Sequence, residues 1–428
     1  MTDSQTPGSD TAVLLQPRDP LIFRDARPFG AEPGARAFSL GWPLPRSISG
    51  ALRTHVVNAP GPVDWGNKAN ADAALKIAVH GPLLAARPPC SQEWQPYVPA
   101  PKDLIAYRND DDPNTLHLMP LRPMAPLPEG GGCDFPSIDH PPEGAKESWA
   151  KAMEHVELRP LGVTTEAKPE KLPAFWSLDQ TKTWLASGSA NLRACLHKEK
   201  DQPEQLPGIA ALPKQEQVHV SIDRETRTAK EGLLFTTEAI AFRDEPIALD
   251  EPALAMLCRV RSANSWTPMG TEMPLGGERR LTSLTAAGAV WPAPSALPMP
   301  KPSRLRLQLV TPSIFTHGWL PGWMVDAIPP GLNGSKLELR LVGVASDRRG
   351  AVSGWRLAKR AASPRHSAAT PAGPKATIYA VPAGSVYFFE VVRGEITEEV
   401  WQKLWLAPVS DQEPHRNEGF GLVLPGIW

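Results

Sequence analysis

Apolar and polar positions alternate over residues 218–222, where Val218, Val220 and Ile222 share one side, and again over 233–241, where Leu233, Phe235, Ala239 and Ala241 do. A period of two marks half-buried strands, so residues 218–243 predict a long hairpin joined by the solvated ten-residue connection DRETRTAKEG. Upstream, AVLLQ at 12–16 predicts a short opening strand. Residues 42–57 predict a helix with Ile48, Leu52 and Val56 on one face, Arg46, Ser49 and Arg53 on another, and Ser47 or Ser49 as its cap. Residues 75–86 read as a strand broken at Gly81 and Pro82.

The pattern weakens over 109–170, where three aspartates at 110–112, glycines at 130–132 and a Pro- and Glu-rich tract suggest an insertion, helical near 145–156. Trp176, Leu178, Thr181 and Leu185 predict a second helix over 177–186, and residues 197–217 a charged linker into the hairpin. After Asp244 the pattern restarts, with strands expected at 254–260, 305–310, 336–345 and 385–392 and a helix at 397–406. Two domains follow from this reading, residues 1–245 and 246–428.

Charge is balanced, with 45 Lys and Arg against 46 Asp and Glu, which excludes a uniformly basic nucleic-acid coat. It is also segregated. Residues 18–53 hold six arginines against Asp19, Asp25 and Glu32, and residues 340–375 hold eight cations against Asp347, which suits one anionic partner face beside faces that meet protein. The 49 prolines are scattered, so they read as short elements separated by ordered loops. Cys90, Cys133, Cys195 and Cys258 lack zinc-site spacing and are too few for a disulfide scaffold. No apolar run approaches membrane-spanning length, and the expectation is a soluble cytoplasmic protein.

Arginine clusters carry the candidate chemistry, because the planar guanidinium binds phosphate bidentately and stacks on bases. Arg24 and Arg27 flank Asp25 beside Phe23, Phe29 and Gly30; Arg46 and Arg53 sit at a helix start whose free N–H groups favour anions. Gly276 and Gly277 form a turn presenting Arg279 and Arg280, and Arg224, Arg227 and Lys230 punctuate the hairpin tip against Asp223, Glu225 and Glu231. Each admits a plainer reading as a surface ion pair, a cap or a solvated tip. Asp110, Asp111 and Asp112 lack the alternate ligands of a calcium loop and read as a loop tip. The C-terminal run NEGFGLVLPGIW only partly fits an RNA-recognition signature, since Glu418 stands at the basic position and Leu422 at an aromatic one.

DPLIFRDARPFG, YVPAPKD, IDRETRTAKEGLLF, GGERR, TPSIFTHGWLP and the glycines at 419 and 421 together resemble the RAMP-superfamily subunit that holds the guide end in type III-B CRISPR (Cmr) effector complexes. The resemblance runs from Leu14 to Gly421 and departs over 109–170. It implies an α+β protein of two fused ferredoxin-like, RRM-like domains with long insertions and a hairpin. It further implies a noncatalytic subunit binding the 5′ handle of the crRNA and bridging the large palm-domain subunit to a backbone RAMP subunit, without cofactor, metal or membrane. RNA contacts would then come from Arg24, Arg27, Arg46, Ser47, Ser49, Arg53, Arg224, Arg227, Lys230, Gly276, Gly277, Arg279, Arg280, Gly419 and Gly421.

Two other functions stay open on the residues. RAMP endoribonucleases use a histidine for acid-base catalysis, and His55 lies nearest the proposed site. A Trp-rich β module binding protein or carbohydrate is the other. No Walker loop, dinucleotide fingerprint, HExxH or nucleophile elbow is present in the sequence.

Overall fold

The computed structural model describes residues 9–27, 29–30, 34–89, 91–125, 146–163, 165–187, 192–198, 203–242, 252–262, 266–268, 271–332, 334–356 and 373–428. The glycines at 130–132 and the Pro- and Glu-rich stretch after 125 lie outside them.

The opening strand β1 (Ser9–Pro17) leads through helix α1 (Pro45–Asn58) to β2 (Ala78–Arg87), and the sheet is completed by β3 (Ala253–Ser262) and β4 (Arg280–Ala286). Their spatial order is β4-β1-β3-β2, all antiparallel, which is the ferredoxin-like arrangement; Thr271–Leu275 extends one edge and Gln95–Pro99 with Phe175–Ser177 the other. Pleating sends alternate side chains to opposite faces. Val13 and Leu15 of β1, Leu84 and Ala86 of β2, and Met256 and Cys258 of β3 pack on Ile48, Leu52 and Val56 of α1. Leu14, Leu83, Ala255 and Leu257 point the other way.

Strand β2 is not broken at Gly81 and Pro82. Its ladder to β3 continues on both sides with one register shift. At that point a Cβ on Gly81 would lie 2.8 Å from the carbonyl oxygen of Leu257.

The second sheet comprises β5 (Arg304–Leu309), β6 (Glu338–Ala345), β7 (Val386–Arg393) and β8 (Leu422–Gly426), in the order β6-β7-β5-β8, with the short strand Ala407–Pro408 beyond. It repeats the ferredoxin-like order, and the helix Glu398–Leu404 crosses from β7 to β8 with its first turn capped by the Thr397 hydroxyl. The protein is therefore α+β, built on two ferredoxin-like sheets. Among the described residues no helix is long and apolar enough to cross a membrane.

Strand pairing divides the chain elsewhere than the expected 245/246, a position outside the described residues. β3 and β4 follow it in sequence, yet both belong to the first sheet, so the change of sheet falls between Ala286 and Arg304. The apolar run ALAMLCRV predicts a buried strand but not which sheet it joins.

The inserted region also crosses the divide. Its helix Lys146–Met153 buries Trp149 and Ala152 in the core of the second sheet, with Trp149 edge-on to His317 at 5.6 Å and to Trp319 at 6.3 Å. Between β5 and β6 the described residues supply only the 3₁₀ turn Gly322–Val325 as a helical element, so the borrowed helix occupies the face a ferredoxin-like unit covers with its first helix. Residues after it run along β6, where Leu341 N–H donates to His155 O and Glu157 N–H to Leu341 O, both at 2.9 Å. A sheet edge that would otherwise expose unpaired backbone is thereby covered.

The expected second helix of the first unit forms as Leu178–Ser187 but lies between β2 and β3 in the chain and has a different duty. Trp184 and Leu185 pack with Leu14, Leu83 and Leu257 of the first sheet and Leu422 and Leu424 of the second, so the helix fills the seam between the halves.

Candidate nucleic-acid interface

After β1 the chain is anchored by buried Leu21, Ile22 and Phe23. Leu21 exchanges backbone hydrogen bonds with Ile240 at 2.9 and 2.7 Å, and the Phe23 N–H donates to the Ser39 hydroxyl at 3.1 Å. With its neighbours held inward, Arg24 is exposed, its guanidinium 4.9 Å from the Phe29 ring centre. Phe29 meets Phe235 edge-on at 5.8 Å, and His219 stacks on Phe235 at 4.9 Å, so Arg24 sits above an aromatic cluster at the foot of the hairpin. Arg27 lies over Phe38 at 4.2 Å and pairs with Asp25 at 3.0 Å. An exposed pair like this is held weakly, and a phosphate can displace the carboxylate.

The glycine-arginine turn docks on this same loop. Gly277 N–H donates to Ile22 O at 2.7 Å, and a Cβ on Gly276, where φ is +73°, would lie 2.7 Å from that oxygen. The two glycines thus permit backbone contact and themselves face protein. Glu278 and Arg279 both take left-handed φ, 57° and 53°, a strained pairing for non-glycine residues that turns the Arg279 side chain outward. Arg280 turns back, bonding Gln217 of the hairpin and Glu278, each at 2.8 Å. Segments some 250 residues apart in sequence therefore place Arg24, Arg27 and Arg279 beside the hairpin's base, with Arg280 as a strut between turn and hairpin.

The hairpin strands are Lys214–Ile222 and Ala229–Ile240, longer than expected, and the tip is correspondingly tighter. Asp223 closes it by accepting from the N–H groups of Glu225 and Thr226 at 2.9 and 3.0 Å; those bonds hold its carboxyl below the usual range. Arg224, Arg227 and Lys230 are exposed there, Arg227 with φ of 57°. The half-burial expected for Val218, Val220 and Ile222 is overturned: they are 66, 46 and 54% exposed, beside Leu234 at 54%. Alternation identifies a face but not what covers it. Here, among the described residues, the hairpin pairs with Ala35–Ala37 and, at its foot, with Leu21, and it carries that face into solvent.

The second cluster lies at the start of α1. Leu44 occupies the cap position without a side-chain bond, and Pro45 opens the helix with its φ already set, so neither serine caps. Ser47 is exposed, whereas Ser49 is buried and donates to Arg46 O at 3.2 Å. Arg53 is buried, donating to Ile77 O and Asn417 O at 2.8 Å each, which joins the helix to the C-terminal segment and leaves its guanidinium committed. Arg46 is less enclosed; it pairs with Glu418 at 3.0 Å and lies 5.7 Å from the Phe420 ring. Lys375 joins them, unforeseen except as one member of the basic block 340–375. Partial burial lowers its pKa, and Arg46 and then Arg53 lower it further against the opposing effect of Glu418. Three cations thus share one carboxylate at a helix start with no acidic residue in its first turn.

Gly419 and Gly421 are buried, contrary to a role in touching RNA. A Cβ on Gly419 would sit 2.6 Å from Val79 O, and one on Gly421 2.7 Å from Ser410 N, so both glycines let protein backbone approach protein backbone. His55 lies 3.3 Å from the Thr271 hydroxyl and edge-on to Trp266 at 5.9 Å, with its pKa lowered by burial. Among the described residues no carboxylate pairs with it.

The family model described as CRISPR-associated protein (Cas_Cmr3) matches residues 13–428. No curated protein matches the sequence. Among solved structures, the chain is similar to one in a cryo-EM structure of the type III-B Cmr-beta bound to cognate target RNA, at 16% identity and TM-score 0.39 over 96% of both chains. It is also similar to one in that complex bound to cognate target RNA and AMPPnP, at 15% identity and TM-score 0.36 over 88% of this chain and 86% of that one. A chain of the Csm3–Csm4 subcomplex from a type III-A CRISPR–Cas interference complex matches at 10% identity and TM-score 0.33, over 91% and 96%.

Proposed function

The chain belongs to the CRISPR-associated Cmr3 family, and from that membership we propose that it holds the 5′ handle of the crRNA in a type III-B Cmr complex, without cutting RNA, and joins the large palm-domain subunit to the backbone. The observation that carries the reading is the docking of the glycine-arginine turn on the loop after β1, which gathers exposed Arg24, Arg27 and Arg279 above the aromatic foot of the hairpin. Guanidinium groups beside aromatic rings suit a strand whose phosphates and bases are both within reach. Arg46 and Lys375 form a second phosphate position at the α1 start.

Alanine at Arg24, Arg27 and Arg279 together is expected to weaken guide-RNA retention and to lower the slope of log affinity against log salt by about one unit for each phosphate no longer neutralised. Titration of the purified protein with crRNA at several salt concentrations measures this. An unchanged slope with intact folding removes the site. Arg53→Ala serves as the contrast: its buried hydrogen bonds predict lower thermal stability with the slope unchanged.

The noncatalytic part of the reading predicts that His55→Ala leaves crRNA maturation at the parental rate, because no second acid-base group faces the imidazole among the described residues. Loss of cleavage with RNA binding retained would place the protein among the endonucleases instead.

The hairpin fits the same assembly role. Its tip cations reach toward RNA, while the exposed face of Val218, Val220, Ile222 and Leu234 offers apolar area to an adjacent subunit.

A further inference from the structure

At the end of the second sheet opposite the glycine loop, where β5 begins and β8 ends, the chain forms a cavity of about 300 Å³ lined by Arg122, Ala186, Met299, Pro302, Arg304 and Trp428 among others. β5 and β8 run antiparallel, with Arg306 opposite Gly426 and Leu309 opposite Val423. The cavity is therefore separated by the length of β5, roughly 20 Å at a strand's rise per residue, from the segment where Thr311 meets Gly419. It is a different surface from the α1 start.

Its chemistry is one-sided. Neither Arg122 nor Arg304 pairs with a carboxylate among the described residues, and Arg122 Nε is buried without a hydrogen-bond partner. Glu390, opposite Arg304 across the ladder, is occupied by Arg159 at 2.8 Å. The aromatic wall is fixed in place: the Trp428 indole N–H lies 3.1 Å from both Leu305 O and Phe389 O, Phe388 meets the ring edge-on at 5.5 Å, and the Arg304 guanidinium lies 4.6 Å from its centre. Met299 stands 47% exposed at the rim.

We propose that this cavity takes an acidic anchor residue of a neighbouring protein, its carboxylate held by Arg122 and Arg304 and an adjoining apolar side chain laid over Met299 and Pro302. Unpaired guanidinium groups call for an anion, and they match a carboxylate in a planar, two-point geometry. A rigid Trp, two Arg and a Met around one pocket are the residue types that concentrate binding energy at protein interfaces. A volume of this size admits one or two side chains, whereas a nucleic-acid strand is tracked by a long basic groove. The proposal stands apart from the RNA reading and does not need it.

The test is an NMR titration of the full chain, following the Trp428 indole N–H, assigned by its loss in Trp428→Phe. The probe is acetyl-Leu-Glu-Leu-amide, with acetyl-Leu-Gln-Leu-amide and uridine monophosphate as comparisons. The Glu peptide should shift the resonance saturably, the Gln peptide should bind about tenfold or more weakly, and Arg122→Met with Arg304→Met should abolish the response. Where the double variant does not fold, Arg304→Met alone should weaken binding, since that side chain is exposed and lies over the indole. No shift with the Glu peptide, equal binding of the Gln peptide, or tighter binding of uridine monophosphate would each overturn the proposal, the last in favour of a nucleotide site.

Discussion

Replacing Asp103 with alanine is expected to destabilise the protein by about 3–5 kcal/mol, the usual result of stranding one member of a buried ion pair. Asp103 and Arg306 are both fully buried, and the carboxylate accepts from Arg306 Nη1 at 2.5 Å and from Trp184 Nε1 at 2.8 Å. Arg306 Nη2 in turn donates to the Trp184 carbonyl. The three residues come from the loop before Leu104–Asn109, the seam helix and β5, so this fully buried charge pair ties the first half to the second. Burial pulls the Arg306 pKa down and Asp103 opposes it, but a guanidinium does not escape by losing its proton. Without the carboxylate the charge stays, along with an indole N–H lacking its acceptor. Urea unfolding measures the loss, and a change under about 1 kcal/mol would contradict the argument. Asp103→Leu combined with Arg306→Met should recover most of the stability, because removing both charges also removes their desolvation cost.

Gly419→Ala is expected to loosen the same seam from the other side. Its added methyl would stand 2.6 Å from Val79 O, paired with Val260 in the β2 ladder, and 2.7 Å from Gly81 O at that ladder's register shift, and φ at 419 is +93°. Left-handed backbone alone costs an alanine about 1–2 kcal/mol, and here the steric overlap with two strand carbonyls adds to it, since backbone must shift to relieve it. The expected result is a lower melting temperature and faster proteolysis between the halves, with RNA affinity per folded molecule unchanged. Weakened RNA binding at full stability would instead put the glycine at the RNA.

Local pattern and long-range pairing divide what the chain discloses. Periodicity locates β1, α1, the hairpin and the strands of the second sheet, because each carries its pattern within a few neighbouring residues. The motifs around Arg24 and Gly276 are legible as turns presenting arginines, and the structure adds that they touch. Strand 253–262 joins the first sheet although the pattern assigns it to the second domain, because membership of a sheet is decided by pairing with Leu14 and Leu83, more than 150 residues away. Arg53 and Arg46 look equivalent on a helical face, yet one meets two carbonyls inside the seam and the other remains near the surface. Gly419 and Gly421 are legible as sites of close approach, but the visitor is protein backbone where RNA is expected. Composition says that a side chain is missing; only the fold says whose backbone takes the space.

The borrowed helix Lys146–Met153 has a consequence in time. It leaves the ribosome well before its docking site, since His317 and Trp319, which receive Trp149, lie about 170 residues further on; at roughly 5–20 residues per second that is a wait of roughly ten to thirty seconds. During that interval Trp149 and its neighbours are uncovered, and the first sheet is also waiting for β3 and β4. The halves therefore cannot mature one after the other. Expression of residues 1–286 alone should yield a protein with an unsatisfied apolar helix, prone to aggregate or to bind a chaperone, and co-expression of 287–428 should rescue it.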